Sequence, residues 1–321
     1  MQDLYSPEMI LASVLTMLVV VAVTPVVRGF AHRIGWVDNP NERKMHKVPT
    51  PSIGGLVFVP AALVAWLMFG GPELINAETV SLVMAVIVMF LLGAYDDRWP
   101  LSHRIKLPIQ ILVSSGLIYT WDLVPIEFGG ALGIHDIEGI WAWALMLMFF
   151  QFAINAINYT DGLNGLLGSY TTVVFVTLAS VLCATGCTQI GSLLPLMAAG
   201  IVGFLVYNFR KEAKTFMGDA GSTVIGLLSA LAVAEFIKSE PVYMGMPSFY
   251  LVALLFWYPL LDSLQVYVIR ILSGTSPFFP DKRHLHHMFI KRFQLDHRVF
   301  AVVVGLITVA IAMWALGYLA A

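Results

Sequence analysis

Long apolar runs separated by short polar segments constrain this sequence more than any other feature. About ten runs can span a membrane as helices, which needs about 17 to 25 residues each. The chain is 59% hydrophobic and only 12% charged, about half the charged share of a soluble domain. The sequence predicts one all-α polytopic membrane domain over residues 1–321, with about ten and up to eleven transmembrane helices. The predicted spans are roughly residues 8–27, 53–70, 79–95, 107–121, 139–157, 163–184, 190–207, 219–237, 248–269 and 298–318.

The basic residues are distributed unevenly between the loops that join these spans. If the spans alternate in direction, all but one of the 18 Lys and Arg residues lie at one membrane face, and only Lys238 lies at the other. Basic residues accumulate in cytoplasmic loops. The sequence therefore predicts that the basic face is cytoplasmic.

Four polar islands interrupt the apolar pattern, and each lies where an apolar run ends at the basic face. Carboxylates at a membrane boundary are costly to desolvate, so they need a cation, a basic neighbour or water. Plainer interpretations also stand: Asp97 could form an ion pair with Arg98 or Arg104, and Asp161 could be a helix N-cap. The islands are AYDDR (residues 94–98), NAINYTDG (155–162), FMGDAGS (216–222) and SPFFPDKRHLHH (276–287).

Together the islands bring carboxylates, an amide and basic side chains to one face. Aspartates with Asn158 can bind Mg2+ through oxygen, whereas His and Arg side chains can donate to phosphate oxygens. The H-x-H-H pattern could suggest zinc, but no cysteine lies nearby, and its charged neighbours favour an oxyanion. A hard cation beside basic donors indicates phosphate chemistry. The membrane boundary indicates one lipid substrate and one water-soluble nucleotide.

The four motifs, with NAINYTDGLNGL read through residue 166, resemble those of the polyprenyl-phosphate N-acetylhexosamine-1-phosphate transferases, and the bacterial undecaprenyl-phosphate N-acetylglucosamine branch is most similar. The resemblance implies transfer of N-acetylglucosamine 1-phosphate from UDP-N-acetylglucosamine to undecaprenyl phosphate, with release of UMP. It also implies a need for Mg2+ or Mn2+. The lipid-linked product would initiate a cell-surface polysaccharide, such as O-antigen, common antigen or teichoic acid.

The resemblance also assigns roles to individual residues. Bacterial members usually read DGLDGL where this chain reads DGLNGL, so Asn164 replaces a carboxylate and can still contact the uracil. The implied metal ligands are Asp219 and Asn158, and the implied catalytic residues are Asp96, Asp97 and Asp161. The implied substrate-binding residues are Lys47, Lys106, Asn158, Asn164, Arg283, His284, His286 and His287.

Other readings of the sequence remain open. The same chemistry could use N-acetylgalactosamine, a fucosamine-type sugar or a muramyl-pentapeptide, although HLHH favours a small sugar. A transporter would place ionisable groups near the bilayer midplane, whereas here they cluster at one face. The expected location is the bacterial inner membrane, with the active site facing the cytoplasm. The expected partners are the two substrates and membrane lipid, with no nucleic acid, and a homodimer is left open.

Overall fold

The structure is a computed structural model that describes residues 6–40, 48–70, 76–274, 284–293 and 296–317. It is mostly helical, with two short antiparallel strand pairs, β1 with β2 and β3 with β4. The helices are α1 (Pro7–Arg33), α2 (Gly54–Phe69), α3 (Ala77–Arg98), α4 (His103–Thr120), α5 (Gly139–Thr160), α6 (Leu166–Ala184), α7 (Thr188–Asn208), α8 (Asp219–Ser239), α9 (Ser248–Leu255), α10 (Trp257–Leu272), α11 (Leu285–Phe293) and α12 (His297–Gly317). The strands are β1 (Ile126–Glu127), β2 (Asp136–Ile137), β3 (Val242–Tyr243) and β4 (Met246–Pro247), and a short 3-10 helix covers Ala131–Gly133.

The helices confirm a membrane protein but not the predicted number of spans. Within the described ranges, seven helices are long and apolar enough to cross a bilayer, or eight if α9 and α10 form one bent span. The seven are α1, α3, α5, α6, α7, α8 and α12. Helix α2 has 16 residues and is shorter than a usual span. Helix α4 carries Arg104 and Lys106 in its first turn and is not among the seven. The prediction of ten or eleven transmembrane helices is therefore not confirmed.

The predicted span at residues 248–269 is broken in the middle. Helices α9 and α10 meet at Phe256 with a bend of 76°. Pro259 lies in the first turn of α10, where its missing N–H is tolerated, but it could not have donated to Leu255 in a continuous helix. The proline therefore favours a helix that restarts at this point.

Helix α8 is the centre of the bundle and is buried along almost its whole length. It packs against α2, α3 and α5. Glycines allow these close approaches, as is usual for helices in membranes. A Cβ atom on Gly55 of α2 would overlap the backbone of Gly221, and one on Gly226 would lie 2.7 Å from the Cα atom of Ile154 in α5.

The helix ends gather at two opposite faces. At one face, the backbone N–H groups of Gly54 and Gly55 donate to the carbonyl oxygens of Phe216 and Met217, at 2.9 and 2.8 Å. We call this the site face, because three of the polar islands and His284 lie there. At the opposite face, the Nζ atom of Lys238 donates to the carbonyl oxygen of Trp121 at 2.7 Å. The order of the helices thus brings distant polar segments to one end of the bundle.

Candidate active site

The N-terminus of α8 organises the site face. Gly218 precedes the helix with φ 78°, a conformation that glycine adopts most readily. Asp97, at the end of α3, accepts from the backbone N–H of Asp219 at 2.9 Å with Oδ1 and from that of Ala220 at 3.1 Å with Oδ2. The backbone of Gly218, the N-cap residue, approaches the carboxyl of Asp161. Asp97 therefore caps α8 from another helix, where the helix dipole also favours negative charge.

The carboxylate of Asp219 points away from this cap toward other polar side chains. The Nδ2 atom of Asn158, in the last turn of α5, donates to its Oδ1 at 3.0 Å and to the hydroxyl of Ser222 at 2.8 Å. The Nζ atom of Lys106 lies 3.5 Å from its Oδ2. The Asp219 side chain is still 28% exposed, so it is oriented by the protein and remains accessible to a ligand.

Lys106 links Asp219 to the first aspartate of the pair on α3. Its Nζ atom lies 2.6 Å from Oδ2 of Asp96. Oδ1 of Asp96 accepts from the backbone N–H of Leu101 at 2.6 Å, which fixes the carboxylate across the α3–α4 turn. Asp96 and Asp219 are therefore neighbours that share one ammonium group. Two carboxyl groups this close require positive charge or a shared proton, and Lys106 supplies one such charge.

The oxygen atoms of the site fit a cation that is also bound by a substrate. No group of three or more His, Cys, Asp or Glu side chains within the described ranges is arranged to hold a metal ion by itself. Mg2+ is commonly bound through one or two carboxylates together with substrate phosphates and water. Asp219, whose oxygens face side chains instead of backbone, and Oδ1 of Asn158 are suited to that role. Asp97 is less suited, because both of its oxygens accept hydrogen bonds from backbone N–H groups of α8.

One reading of the sequence made Asp161 the N-cap of α6, and the structure shows that it is not. It is the C-cap residue of α5, and α6 begins at Leu166 after Gly165. Burial raises the pKa of its carboxyl well above the usual range, and the charges of Asp219 and Asp97 add to this effect. A cation bound in the crevice would favour the ionised form.

Asn164 lies in a separate polar cluster beyond the α5–α6 turn. Its Nδ2 atom donates to the carbonyl oxygen of Arg210 at 3.1 Å and lies 3.3 Å from Nε2 of His297. Nε2 of His297 is also 3.3 Å from the same carbonyl oxygen. The asparagine therefore connects the end of α7 to the start of α12, next to the turn that carries Asp161.

The histidine segment reaches the site face through its first member. Nδ1 of His284 lies 2.6 Å from Oδ2 of Asp262, and its ring centroid is 5.8 Å from that of Tyr159. Tyr159 follows Asn158 at the end of α5, so His284 lies beside the aspartate cluster. His286 and His287 lie in the first turn of α11. Two other predicted substrate-binding residues, Lys47 and Arg283, lie outside the described residues.

Comparison with known proteins identifies the chain. A family profile described as glycosyl transferase family 4 matches residues 79–237, which run from α3 through most of α8. A probable undecaprenyl-phosphate N-acetylglucosaminyl 1-phosphate transferase of Bacillus subtilis (strain 168) is 32% identical over 94% of this chain and 82% of the relative. The chain belongs to this transferase family. The family resemblance predicted from the motifs is thus confirmed, and the protein is a glycosyl-1-phosphate transferase.

Two further relatives of the transferase carry a similar name. An undecaprenyl-phosphate alpha-N-acetylglucosaminyl 1-phosphate transferase of Yersinia pestis is 30% identical over 91% of this chain and 78% of the relative. One of Escherichia coli (strain K12) is 31% identical over 90% of this chain and 77% of the relative. These matches cover all four aspartates of the site.

One residue of this arrangement was not assigned to the site from the transferase sequence. Asp262 is 1% exposed and lies in α10 among apolar residues. Its sequence signal was a carboxylate inside an apolar run, which is costly unless it has a partner. The partner, His284, is 22 positions away along the chain, and local sequence did not reveal the pair.

We expect the substitution Asp97→Asn to lower both the stability and the turnover of the transferase. Asparagine can still accept from the N–H of Asp219, but its NH2 group would face the N–H of Ala220. Loss of a hydrogen bond to a charged group costs about 1.5–3 kcal/mol of stability. Turnover per folded molecule should fall about tenfold or more, because the loosened N-terminus of α8 carries Asp219 and small displacements of reacting groups are costly. Thermal unfolding in detergent and the rate of product formation measure the two effects.

The control is Asp136→Asn, at an exposed carboxylate in β2 on the opposite face. It should change neither quantity. Wild-type unfolding temperature and turnover in Asp97→Asn would show that the carboxylate does not cap α8 in the working enzyme.

Proposed function

We propose that this transferase moves N-acetylglucosamine 1-phosphate from UDP-N-acetylglucosamine to undecaprenyl phosphate. The products are UMP and the lipid-linked diphosphosugar. The names of the relatives, at 30–32% identity over at least 90% of the chain, support this choice of substrates. The observation that carries the proposal is the placement of Asp219 at the N-terminus of α8, held by Asn158 and facing Lys106. This set offers ligands for a cation and positive charge for phosphate groups.

In this reaction an oxygen of the lipid phosphate attacks the phosphorus that bears the sugar. A new P–O bond forms, the bond from that phosphorus to the bridging oxygen breaks, and UMP leaves with the bridging oxygen. A phosphomonoester has a second pKa near about 6, so the lipid phosphate is mostly a dianion at neutral pH. It needs little help from a base, which agrees with the use of both Asp97 oxygens as acceptors for backbone N–H groups.

The remaining residues position charge around the reacting phosphates. Asp96 holds the Nζ atom of Lys106 at 2.6 Å, so that the lysine can neutralise charge that develops on phosphate oxygens. Asn158 fixes the orientation of Asp219. A bound Mg2+, held by Asp219 and Oδ1 of Asn158, would neutralise further charge on the diphosphate. Because a phosphoanhydride is broken and another is formed, the reaction should be nearly reversible with UMP.

We also propose that the site face is cytoplasmic and that the protein lies in a bacterial inner membrane. If the predicted spans alternate in direction, all but one of the 18 Lys and Arg residues fall at that face, which the positive-inside rule assigns to the cytoplasm. Helices α2 and α4 would then complete ten spans, together with the seven long helices and the bent pair. The polysaccharide made from the lipid-linked product remains an expectation from the sequence.

We expect purified protein to release UMP from UDP-N-acetylglucosamine when undecaprenyl phosphate and Mg2+ are present. Excess EDTA should abolish the release. Asp219 and Asn158 alone do not complete the coordination of the ion, so a chelator can remove it. Adding Mg2+ back should restore the release. UMP, together with a glycolipid product, is measured by chromatography in a detergent such as dodecyl maltoside.

UDP-N-acetylgalactosamine serves as the matched donor, since it differs at one hydroxyl. If only UDP-N-acetylgalactosamine is turned over, the proposed reaction type stands and the proposed sugar is wrong. Undiminished UMP release in EDTA would contradict the metal requirement. If UMP cannot drive back-reaction from the glycolipid, the direct transfer between two anhydrides is wrong.

A further inference from the structure

Asp262 is the most deeply buried carboxylate on the helices next to the site, and both of its oxygens have partners. It lies in the second turn of α10 and is 1% exposed. Oδ2 lies 2.6 Å from Nδ1 of His284, and Oδ1 accepts from the backbone N–H of Leu285 at 2.6 Å. An acidic side chain in an apolar helix is costly to bury unless it is paired. These two contacts explain how the bundle accommodates it.

The first contact fixes the ring of His284. A carboxylate only accepts hydrogen bonds, so Nδ1 of the imidazole must carry the proton. Nε2 is then the ring nitrogen that can act on a substrate. A carboxylate behind a histidine fixes the tautomer and the orientation of its ring in the same way at metal sites. The ring of Tyr159, 5.8 Å away, lies next to this histidine on the side of α5.

The second contact fixes the start of α11. Leu285 is the first residue of that helix, and its N–H is one of the groups that a helix leaves without an internal partner. Oδ1 of Asp262 therefore serves as an N-cap provided by another helix, where negative charge is favoured. One carboxylate holds both the imidazole of His284 and the backbone that follows it.

Other contacts attach α11 to the bundle independently of Asp262. The ring of Phe289 lies 5.5 Å from that of Phe300 in α12, measured between centroids. One turn after Asp262, the side chain of Gln265 contacts the sulfur of Met288. Docking of α11 thus has several anchors besides Asp262, whereas Asp262 contacts the ring of His284 directly. A substitution at Asp262 should alter the histidine before it releases the helix.

We propose that Asp262 is a positioning residue that holds His284 and the first turn of α11 against the diphosphate of the sugar nucleotide. The inference rests on the proposed function, because it names a further residue for that reaction. Asp262 does not touch the substrate and acts through His284. Under the proposed function the donor site is the affected one, because His284 lies beside Tyr159, the residue that follows Asn158, and Asn158 contacts Asp219.

The test compares Asp262→Asn, His284→Ala and the double variant with the wild type in the UMP-release assay. Asparagine preserves the size of the side chain and can still accept from the N–H of Leu285. Its NH2 group would face Nδ1 of His284 and reverse the tautomer. We expect the KM for UDP-N-acetylglucosamine to rise about tenfold or more, with the KM for undecaprenyl phosphate within about twofold of wild type.

The double variant separates positioning from a general structural role. If Asp262 acts through His284, adding Asp262→Asn to His284→Ala should cause no further loss. The matched control is Glu235→Gln, at a buried carboxylate near the opposite end of α8 that pairs with Lys238. It makes the same chemical change away from the site and should leave both KM values unchanged.

Each outcome has a defined meaning. Independent losses that multiply in the double variant, or equal effects on both substrates with a lower unfolding temperature, would overturn the positioning role. Wild-type kinetics in Asp262→Asn would also overturn it. Wild-type protein that releases no UMP from any UDP-sugar would instead overturn the proposed function, and this inference with it. The two failures are distinguishable because only the second affects the unmodified protein.

Discussion

Asp219→Ala should lower sugar-phosphate transfer by about a thousandfold or more, which corresponds to roughly 4 kcal/mol of transition-state stabilisation. The substitution removes the carboxylate that Asn158 orients at 3.0 Å and that Lys106 approaches at 3.5 Å. It leaves both of these groups without that partner and removes the principal candidate ligand for a divalent cation. The cap on the N-terminus of α8 uses the backbone N–H of Asp219 and survives the change.

The kinetics should show loss of turnover with little loss of folded protein. Single-turnover UMP release, measured over a range of Mg2+ concentrations, tests this expectation. Asp136→Ala, at the exposed carboxylate in β2 on the opposite face, is the control. Asp219→Ala that retains more than about a tenth of wild-type turnover, with an unchanged Mg2+ dependence, would remove Asp219 from the centre of the mechanism.

The second large effect is expected from Gly93→Ala, a change of one methyl group in α3. A Cβ atom at Gly93 would overlap the backbone carbonyl of Asp219 and lie 2.5 Å from the N atom of Ala220. The backbone cannot move aside as a flexible side chain could, so α3 and α8 must separate. Overpacking of this kind costs about 1–3 kcal/mol. A shift of about 1 Å at reacting groups can cost about a hundredfold in rate.

Gly116→Ala is the matched control for this substitution. Gly116 also lies inside a helix, α4, but a Cβ atom there would meet nothing within 4 Å. Alanine is also the better helix former by about 1 kcal/mol. We expect wild-type turnover and an equal or slightly higher unfolding temperature for Gly116→Ala. If both variants behave alike in turnover and thermal unfolding, close packing of α3 on α8 does not position Asp219.

Some features of the site could be predicted because they depend on local sequence. Hydropathy located the stretches that became helices, and the described residues of the polar islands meet at one end of the bundle. The motifs then identified the family, which the relatives confirm. The count of spans was harder to predict, since α2 is short, α4 starts with charged residues, and Pro259 divides one apolar run into α9 and α10.

The partner of each polar side chain could not be predicted in this way. Asp97 and Asp219 are 122 positions apart, and only the packing of α3 on α8 brings the first carboxylate to the N–H of the second. Asp161 caps the end of α5 and approaches Gly218 instead of starting α6. The desolvation cost of both carboxylates at a membrane boundary could be recognised from the sequence, but the groups that compensate it could not.

By itself the sequence determined a helical membrane protein and its transferase family, because apolar length and motif spacing are properties of consecutive residues. The tertiary structure decided that Asp97 caps α8, that Lys106 lies between Asp96 and Asp219, and that Asp262 holds His284. These pairings depend on which helices pack together and how closely. Glycine contacts such as that of Gly93 with Asp219 set that distance, and the partners lie far apart in the chain.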